Sequence, residues 1–460
     1  MTLRRAQPAV MLAGLLIAAA LTLLLPTSRA PLLAVLLLLA GASAYAATRI
    51  DPAWIASAAL ATSIFSSNSG RLGLPFPPDR ALLALTLFGL AWRGIRGEAQ
   101  TELRYRPVHY LMLALVAYIL VSATWAGTLT QKTAVFHLID RVGIVPFLLF
   151  YLAPRLYGTE RQRNILLAFL VGTGAYIGLT AWFEAFHLRP LVFPKYILDQ
   201  SIGINEGEGR ARGPFLEAVA NGLSIYGCAC ASIVAAVRWR GTWRWVALGI
   251  AGICLIGSIF SLTRAVWIGA AVGTLVALVV TRETRRYALA AAAAGAIAVV
   301  GIFAVAPQLA SNAKARNENH YPLWARLNSN AAALRMVDAK PLFGFGWLRF
   351  ETDNLDYFRQ APDYPLTGLG IEVHNIYLGY AVEIGILGLL LYLITFFFGT
   401  IGAARRPVRS DQRVWVAAST AFTVALVVVA NFGPLAYSFP NQLVWLFAGI
   451  IYALPRPVAA

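Results

Sequence analysis

The sequence predicts an all-α polytopic membrane protein with about 12–14 transmembrane helices and one large external loop containing short helices. Of its 460 residues, 59% are hydrophobic and only 13% are charged, an apolar share well above that of a soluble domain. Basic residues cluster in alternate connections between the apolar runs, as topology signals do. The net charge of +17 therefore indicates orientation in a membrane rather than a nucleic-acid partner.

Apolar runs define the predicted spans. The first run follows Arg4 and Arg5 and resembles a signal peptide, but its length and the lack of a cleavage site predict that it stays as a span. The third and fourth runs are short and fit either half-spans or one re-entrant pair. Spans are predicted near residues 8–25, 31–47, 51–66, 80–93, 107–125, 135–153, 164–186, 214–237, 242–260, 263–280, 286–306, 375–400, 412–432 and 441–454.

The positive-inside rule predicts the orientation of these spans. Both termini are expected in the cytoplasm, and the connections at 187–212 and 307–373 are expected on the external side. The chain then divides into transmembrane helices over 1–306, the large loop over 307–373 and C-terminal transmembrane helices over 374–460. The basic, cytoplasmic connections contain Arg4, Arg5, Arg93, Arg96, Arg104, Arg106, Arg155, Arg161, Arg163, Arg238, Arg240, Arg244, Arg282, Arg285, Arg286, Arg405, Arg406, Arg409 and Arg413.

The external loop is long enough to fold outside the bilayer. Residues 321–337 place leucine at helical spacings with alanine between, which predicts an amphipathic helix lying on the membrane. Residues 340–350, KPLFGFGWLRF, then break the helix with proline and glycine. Their four aromatic side chains are predicted to be exposed, either as an interfacial belt or as a surface for sugar or lipid.

A histidine marks the point where this loop runs into an apolar helix, in the sequence EVHNIYLGYAVEIGILG at 372–388. An imidazole at a water–lipid boundary titrates near neutral pH, so His374 can take a proton from an arriving hydroxyl. The alternative is that Asn375 caps the helix and His374 is an ordinary polar flank. Glu372 and Asn375 are candidate supporting residues.

Several arginines lie at the same external boundary. Arg264 stands between the ninth and tenth predicted spans, where an arginine is costly unless it has a partner or a ligand, although snorkelling to the interface is an alternative. Arg210 and Arg212 open the eighth span; Arg212 is the better candidate, and a flanking charge is its alternative. Arg326 and Arg335 lie nine residues apart on the predicted loop helix and face opposite ways, so only one is expected to point into a site shared with Arg264.

Other charged residues are predicted to pair within the membrane-spanning region. Asp140 and Arg141 are adjacent in the sixth span and cannot face each other on a helix, so each is expected to pair with another span. Glu184 and Glu217 are candidate partners of the external arginines. The three cysteines lie in apolar stretches without ligand spacing, so neither a metal site nor a cofactor is expected.

Arginines beside one histidine, without a DxD-like carboxylate pair or a nucleotide loop, favour chemistry on a phosphate-linked substrate. Guanidinium groups bind phosphates bidentately and stay charged at any working pH. They can hold a lipid-linked diphosphate and stabilise the negative charge that develops as it leaves. A neutral His374 can accept the proton of an attacking hydroxyl.

Four motifs give the chain a family resemblance: RARGPF at 210–215, SLTRAVWIG at 261–269, the segment from Arg326 to Phe350, and HNIYLGYAVEIGILGLL at 374–390. In their order and spacing, over about residues 205–400, the chain resembles the O-antigen ligase and polymerase superfamily. Its members are the WaaL ligases, Wzy-type polymerases, exopolysaccharide polymerases and protein O-oligosaccharyltransferases. The resemblance implies a GT-C-type membrane glycosyltransferase that moves a glycan from undecaprenyl diphosphate to a periplasmic hydroxyl, without a nucleotide sugar or a required metal.

The resemblance also implies roles for single residues. The essential histidine of the family falls on His374, the arginine of its small-x-Ser/Thr-Arg motif on Arg264, and the arginine opening its loop helix on Arg326. Arg335 is the alternative if the register of the loop differs. The chain has Ala-Asn at 220–221 where many members have Pro-Asn, which weakens the diphosphate-binding role assigned to Arg212.

The acceptor is not fixed by the resemblance. A ligase delivers the glycan to lipid A-core, whereas a polymerase delivers it to another lipid-linked glycan, and the ligase is placed slightly ahead. A transporter for a lipid-linked anion would also need arginines near the membrane, but it would not need a titratable histidine. The implied partners are a lipid-linked donor, its acceptor and the lipids of the bacterial inner membrane, with no nucleic acid.

Overall fold

The computed structural model describes residues 30–98, 103, 105–202, 209–281, 284–305 and 307–454. Within these ranges the chain is helical, with short 3-10 and π segments and no β-strand. This confirms the prediction of an all-α polytopic protein. The first predicted span, both termini, Arg104 and Arg282 lie outside the described residues.

The helices follow the predicted apolar runs closely, because the length and periodicity of such runs are local properties of the sequence. The α-helices are α1 (Ala30–Arg49), α2 (Pro52–Thr62), α3 (Pro78–Ile95), α4 (Pro107–Trp125), α5 (Lys132–His137), α6 (Ile144–Leu156), α7 (Glu160–Ala185), α8 (Ala218–Arg238), α9 (Thr242–Ile259), α10 (Arg264–Val280), α11 (Ala288–Val305), α12 (Pro307–Glu318), α13 (Tyr321–Ala339), α14 (Phe350–Asp353), α15 (Ile376–Phe396), α16 (Arg413–Ala430) and α17 (Ser438–Ala453).

Seven segments of the described chain are long and apolar enough to cross a membrane: Pro107–Trp125, Lys132–Leu156, Glu160–Ala185, Ala218–Arg238, Thr242–Ile259, Ile376–Ala404 and Ser410–Ala430. Two shorter apolar helices, Arg264–Val280 and Ala288–Ile302, accompany them. The helix α2 has only 11 residues and continues as the 3-10 segment Ser63–Leu72, a geometry compatible with a half-span. The total of 12–14 crossings stays a prediction.

Helices α10 and α15 both begin at the end of the bundle where α16 ends. Helices α10 and α16 are antiparallel and in close contact: a Cβ atom at Gly269 would lie 2.9 Å from the carbonyl oxygen of Ala425, and one at Gly273 would lie 2.2 Å from that of Ala421. The first turn of α15 reaches the same end, because the Tyr377 hydroxyl lies 3.5 Å from the carbonyl oxygen of Val427. The fold thus places the beginnings of α10 and α15 on one side.

The sixth predicted span is interrupted. Between α5 and α6 the backbone forms a π-helical turn, Leu138–Val142, which ends at Gly143. Such turns often occur at functional sites. The two charged residues of this turn pair with different elements. Asp140 forms an ion pair with Arg80 of α3, a predicted span, as expected. Arg141 forms one with Glu372 in the external loop, so its predicted pairing with another span is wrong.

The external loop folds against the bundle. Helix α13 confirms the predicted loop helix. Its residues Ala325, Ala332, Ala333 and Met336 are buried, whereas Leu323, Leu327 and Leu334 are exposed together on its opposite side. The prediction that the aromatic side chains of 340–350 are exposed is wrong for Trp347 and Phe350, which are buried. Phe343 is 59% exposed, as predicted.

Trp347 is buried because the bundle supplies polar partners for it. Its backbone N–H donates to the Ser122 hydroxyl at 3.0 Å, and its indole N–H donates to the Ala134 carbonyl at 3.2 Å. The indole also stacks on the ring of Tyr380, with 6.2 Å between the ring centroids. A tryptophan whose N–H group has a partner is stable in an apolar core, so this residue anchors the loop between α4, α5 and α15.

Candidate active site

His374 precedes α15 directly, at the end of the external loop. The side chain of Asn375 accepts hydrogen bonds from the backbone N–H groups of Tyr377 at 3.0 Å and Leu378 at 3.1 Å, so Asn375 is the N-cap of α15. On the other side of the histidine, Val373 is buried in a small cluster with residues of α13, α14 and α15. The half-buried His374 therefore lies between two fixed neighbours.

The helix that follows His374 is broken at Gly385, whose backbone is left-handed with φ 68°. A segment of the external loop fills this break and supplies hydrogen bonds that the helix lacks. The bonds run from Phe345 N–H to the Val382 carbonyl (2.8 Å), from Gly346 N–H to the Glu383 carbonyl (2.9 Å) and from Ile386 N–H to the Pro341 carbonyl (2.8 Å). The external loop and helix α15 therefore interlock at residues 383–388, EIGILG, in the fourth motif.

A buried arginine reaches the loop from the membrane-spanning segment. The Nη1 atom of Arg141 donates to Oε1 of Glu372 at 2.7 Å, two residues before His374. The same guanidinium lies over the ring of Tyr380, 5.4 Å from its centroid, and its Nη1 atom is 3.2 Å from Nδ1 of His137. Desolvation and the Glu372 carboxylate raise the pKa of nearby Glu351, whereas Arg141 lowers it.

Helix α13 carries Arg326 along the segment that leads to His374. The side-chain amide of Asn328 donates to the Pro365 carbonyl at 2.9 Å, and Gly368 packs so closely on Ala325 that an added Cβ would lie 2.7 Å from the Ala325 methyl group. Arg326, next to Ala325, is half-buried. Arg335 lies nine residues further along α13, on the opposite face of the helix. Its Nη1 atom donates to the Tyr357 carbonyl at 2.9 Å, so it stabilises the loop.

Arg264 is the first residue of α10 and its side chain is exposed, at the same end of the bundle as the start of α15. Arg210 lies beside this turn: its Nε donates to the Ser261 carbonyl at 3.0 Å, and its Nη2 donates to the Thr263 hydroxyl. Arg210 also lines a cavity of about 370 Å³. Its other lining residues are Phe183, Glu184, His187, Arg189, Ile197, Leu198, Gln200 and Gly209.

Arg212, the residue favoured from the sequence, points elsewhere. Its guanidinium is buried and donates to the carbonyl oxygens of Ile202 and Asp199 at 2.9 Å and of Ile197 at 3.2 Å. This geometry favours a role in organising the external connection at 187–212. Proximity to the membrane favours Arg212 over Arg210 in the sequence. The backbone here is not regularly extended, because Arg212 has helical φ and ψ angles and Gly213 a positive φ of 55°, so side chains two residues apart need not share a side.

The two glutamates proposed as arginine partners bind backbone groups. The carboxylate of Glu184 accepts from the N–H groups of Arg212 and Gly213, both at 3.0 Å. The carboxylate of Glu217 caps α8 by accepting from Val219 at 3.0 Å and from Ala220. Glu184 therefore supports the turn that contains Arg212 through its backbone, which sequence spacing alone could not indicate.

The structure groups His374 with the helix of Arg326, and it places Arg264 and Arg210 together at the same end of the bundle. Permanent positive charges at the same end of the bundle as a half-buried imidazole suit a substrate that carries a phosphate and a hydroxyl to be deprotonated. Among the described residues no group of three His, Cys, Asp or Glu side chains is placed to hold a metal ion.

Residues 249–393 match the family model Wzy_C, described as O-antigen ligase. The matched segment contains Arg264, Arg326 and His374. The resemblance to the O-antigen ligase and polymerase superfamily is thereby confirmed over this part of the chain. No curated protein matches the chain.

Proposed function

We propose that this protein, which carries an O-antigen ligase segment, is a GT-C-type glycosyltransferase of the bacterial inner membrane that acts on its periplasmic face. It transfers a glycan from undecaprenyl diphosphate to an acceptor hydroxyl. One observation supports the proposal: α10 and α15, which begin beside Arg264 and His374, start at the same end of α16. Both residues lie inside the segment 249–393 that matches the family model.

In the proposed reaction the acceptor oxygen attacks the anomeric carbon of the donor glycan. The bond between that carbon and the diphosphate oxygen breaks, and undecaprenyl diphosphate leaves with the electron pair. His374 takes the proton of the acceptor hydroxyl as general base. Arginine side chains stabilise the charge that develops on the leaving diphosphate.

We assign the diphosphate contacts to Arg264 and Arg326. Arg210 replaces Arg212, the third residue favoured from the sequence. Both guanidinium groups bind protein oxygens, but that of Arg210 lies at the turn that precedes Arg264, whereas that of Arg212 lies within the connection at 187–212. The neighbouring cavity of about 370 Å³ offers room for the polar end of a substrate. Asn375, Glu372 and Arg335 have supporting roles: a helix cap, an ion pair with Arg141 and a loop contact.

The acceptor we favour is lipid A-core, which makes the protein a ligase. A Wzy-type polymerase would use the same donor chemistry and transfer the glycan to a second lipid-linked repeat. A transporter for the lipid-linked glycan would use the arginines without breaking a bond. Each of these leaves a different covalent product, or none, in one assay.

The test is a reconstituted reaction of purified protein with undecaprenyl-diphosphate-linked glycan in EDTA, with lipid A-core in one tube and without it in the other. We expect glycan on lipid A-core, and strong loss of that product in Arg264→Lys because an ammonium cannot replace a bidentate guanidinium. Arg349→Lys is the matched control, since Arg349 of the external loop pairs with Asp353 at 3.0 Å.

The outcomes separate the alternatives. Longer lipid-linked chains in the tube without core would identify a polymerase. No covalent product in either tube, with donor translocation in vesicles, would identify a transporter and overturn the proposal. Full transfer by Arg264→Lys would remove the diphosphate role of that residue.

A further inference from the structure

A single buried guanidinium lies at the base of the loop that carries His374. Arg141 is in the π-helical turn Leu138–Val142, inside the membrane-spanning segment Lys132–Leu156, and its side chain is only 3% exposed. A charged group at this depth is costly and is retained when it has partners and a role. The adjacent Asp140 faces Arg80 of α3 instead, so the turn presents Arg141 alone to the loop.

The partners of Arg141 come from separate segments of the chain. Glu372, at 2.7 Å, belongs to the end of the external loop and is 28% exposed on its side chain. Tyr380 belongs to α15, before the break at Gly385, and its ring lies against the guanidinium, 5.4 Å from the Cζ atom to the ring centroid. The charges of both Arg141 and Glu372 affect the pKa of Glu351 in α14. Arg141 therefore connects the turn Leu138–Val142 to the end of the external loop and to α15.

The ion pair with Glu372 bears directly on His374. Glu372 is two residues before the histidine, and Asn375 directly after it is held by the cap of α15. Between these two fixed points the backbone has no helical hydrogen bonds of its own. Catalytic groups must be held to within about 1 Å, because a displacement of that size can lower a rate by about 10²-fold.

We propose that Arg141 is a positioning residue that fixes the imidazole of His374 for its reaction through the ion pair with Glu372. This inference rests on the proposed function, in which His374 is the base. Arg141 does not touch the substrate; it acts through Glu372. Buried ion pairs add little net stability on average, so positioning is a better explanation for this pair than stability alone.

The experiment compares kcat, the KM for the lipid-linked donor and the apparent Tm of wild type, Glu372→Gln, Arg141→Gln and the double variant. We expect kcat of Glu372→Gln to fall by about 10–100-fold with an unchanged KM, since the base is misplaced while the donor site is intact. The double variant should have a kcat no lower than that of the worse single variant, because both changes remove the same pair. Glu372→Asp should recover part of the loss.

A matched control is the ion pair between Arg238 and Glu160, 2.8 Å long, at the end of the bundle opposite to His374 by the predicted orientation. Glu160→Gln removes a comparable pair and should leave kcat unchanged. A wild-type kcat in Glu372→Gln would overturn the proposal, as would a raised KM with unchanged kcat, which would place Glu372 in donor binding.

A second measurement does not depend on activity. Amide hydrogen exchange at Tyr377 and Leu378, whose N–H groups bind the Asn375 cap, reports the order of the His374 segment. We expect faster exchange in Glu372→Gln than in wild type and in Glu160→Gln, and equal exchange in all three would overturn the proposal. If wild-type protein transferred no glycan, the proposed function would fail, and this exchange result would still decide whether Arg141 orders the segment.

Discussion

A Cβ atom on Gly385 would lie 2.1 Å from the carbonyl oxygen of Leu342. The backbone of Gly385 therefore lies directly against that of Leu342, where the segment of the external loop fills the break in helix α15. The loop and the helix that begins beside His374 therefore form one unit, and a change at Gly385 should affect both.

We expect Gly385→Ala to destabilise this unit. A left-handed backbone alone costs an alanine about 1–2 kcal/mol, and the contact with Leu342 adds to that cost. The apparent Tm should fall and limited proteolysis should cut the loop sooner. Gly172→Ala is the control, because that glycine lies in α7 with nothing within 4 Å of an added Cβ. An unchanged Tm in Gly385→Ala would mean that the interlock contributes little.

Arg212→Lys should lower stability more than the activity of the folded protein. The guanidinium serves three carbonyl oxygens of the external connection, and bonds of a charged donor contribute about 1.5–3 kcal/mol each, so one ammonium cannot replace them. The measurements are the apparent Tm and the kcat of the purified, folded protein. Lys195→Arg, at an exposed position of the same connection outside the lining of the cavity, is the control. A wild-type Tm together with a loss of transfer would show that Arg212 binds the diphosphate, as the sequence predicts.

Arg326→Ala should reduce transfer more than Arg335→Ala. Removing one charge-stabilising donor from an active site costs about 10²–10³ in rate, which is our expectation for Arg326. Arg335 binds the Tyr357 carbonyl, so its loss should chiefly lower the apparent Tm. The measurement is kcat/KM of both variants at equal folded concentration. The reverse order would show that the other face of α13 points at the substrate.

Glu351→Gln should stabilise the protein at neutral pH. The pKa of Glu351 is raised in the folded state by desolvation and by Glu372, so the native state binds this proton more tightly than the unfolded chain does. That contribution is present below the unfolded pKa and is lost as the pH rises through the folded pKa. The variant should have the higher apparent Tm at about pH 7.5 and no advantage near about pH 4. Glu318→Gln, the same exchange at another carboxylate of this loop, is the control. An advantage of Glu351→Gln at both pH values would contradict the assignment.

The helices could be predicted because their signals are local. The predicted span at 263–280 corresponds to α10 at Arg264–Val280, and the predicted loop helix at 321–337 corresponds to α13 at Tyr321–Ala339. The candidate site residues His374 and Arg326 were also identified from the sequence, and the structure places the helix of Arg326 against the segment that leads to His374.

The remaining features depend on contacts between distant parts of the chain. Glycine is common in transmembrane helices, so Gly385 gave no sign of a break. Trp347 is buried because Ser122 and Ala134 accept its N–H groups, and neither lies near it in sequence. The partner of Arg141 is 231 residues away, which no local pattern can indicate.

The transfer rate of His374→Ala, measured together with the donor KM, shows whether His374 is the catalytic base. If His374 is the base, kcat should fall by about 10²–10⁴-fold while KM stays close to that of the wild type, because a base acts mainly in the transition state. His320→Ala, at an exposed histidine beside α13, should transfer normally. A wild-type kcat in His374→Ala would contradict the account.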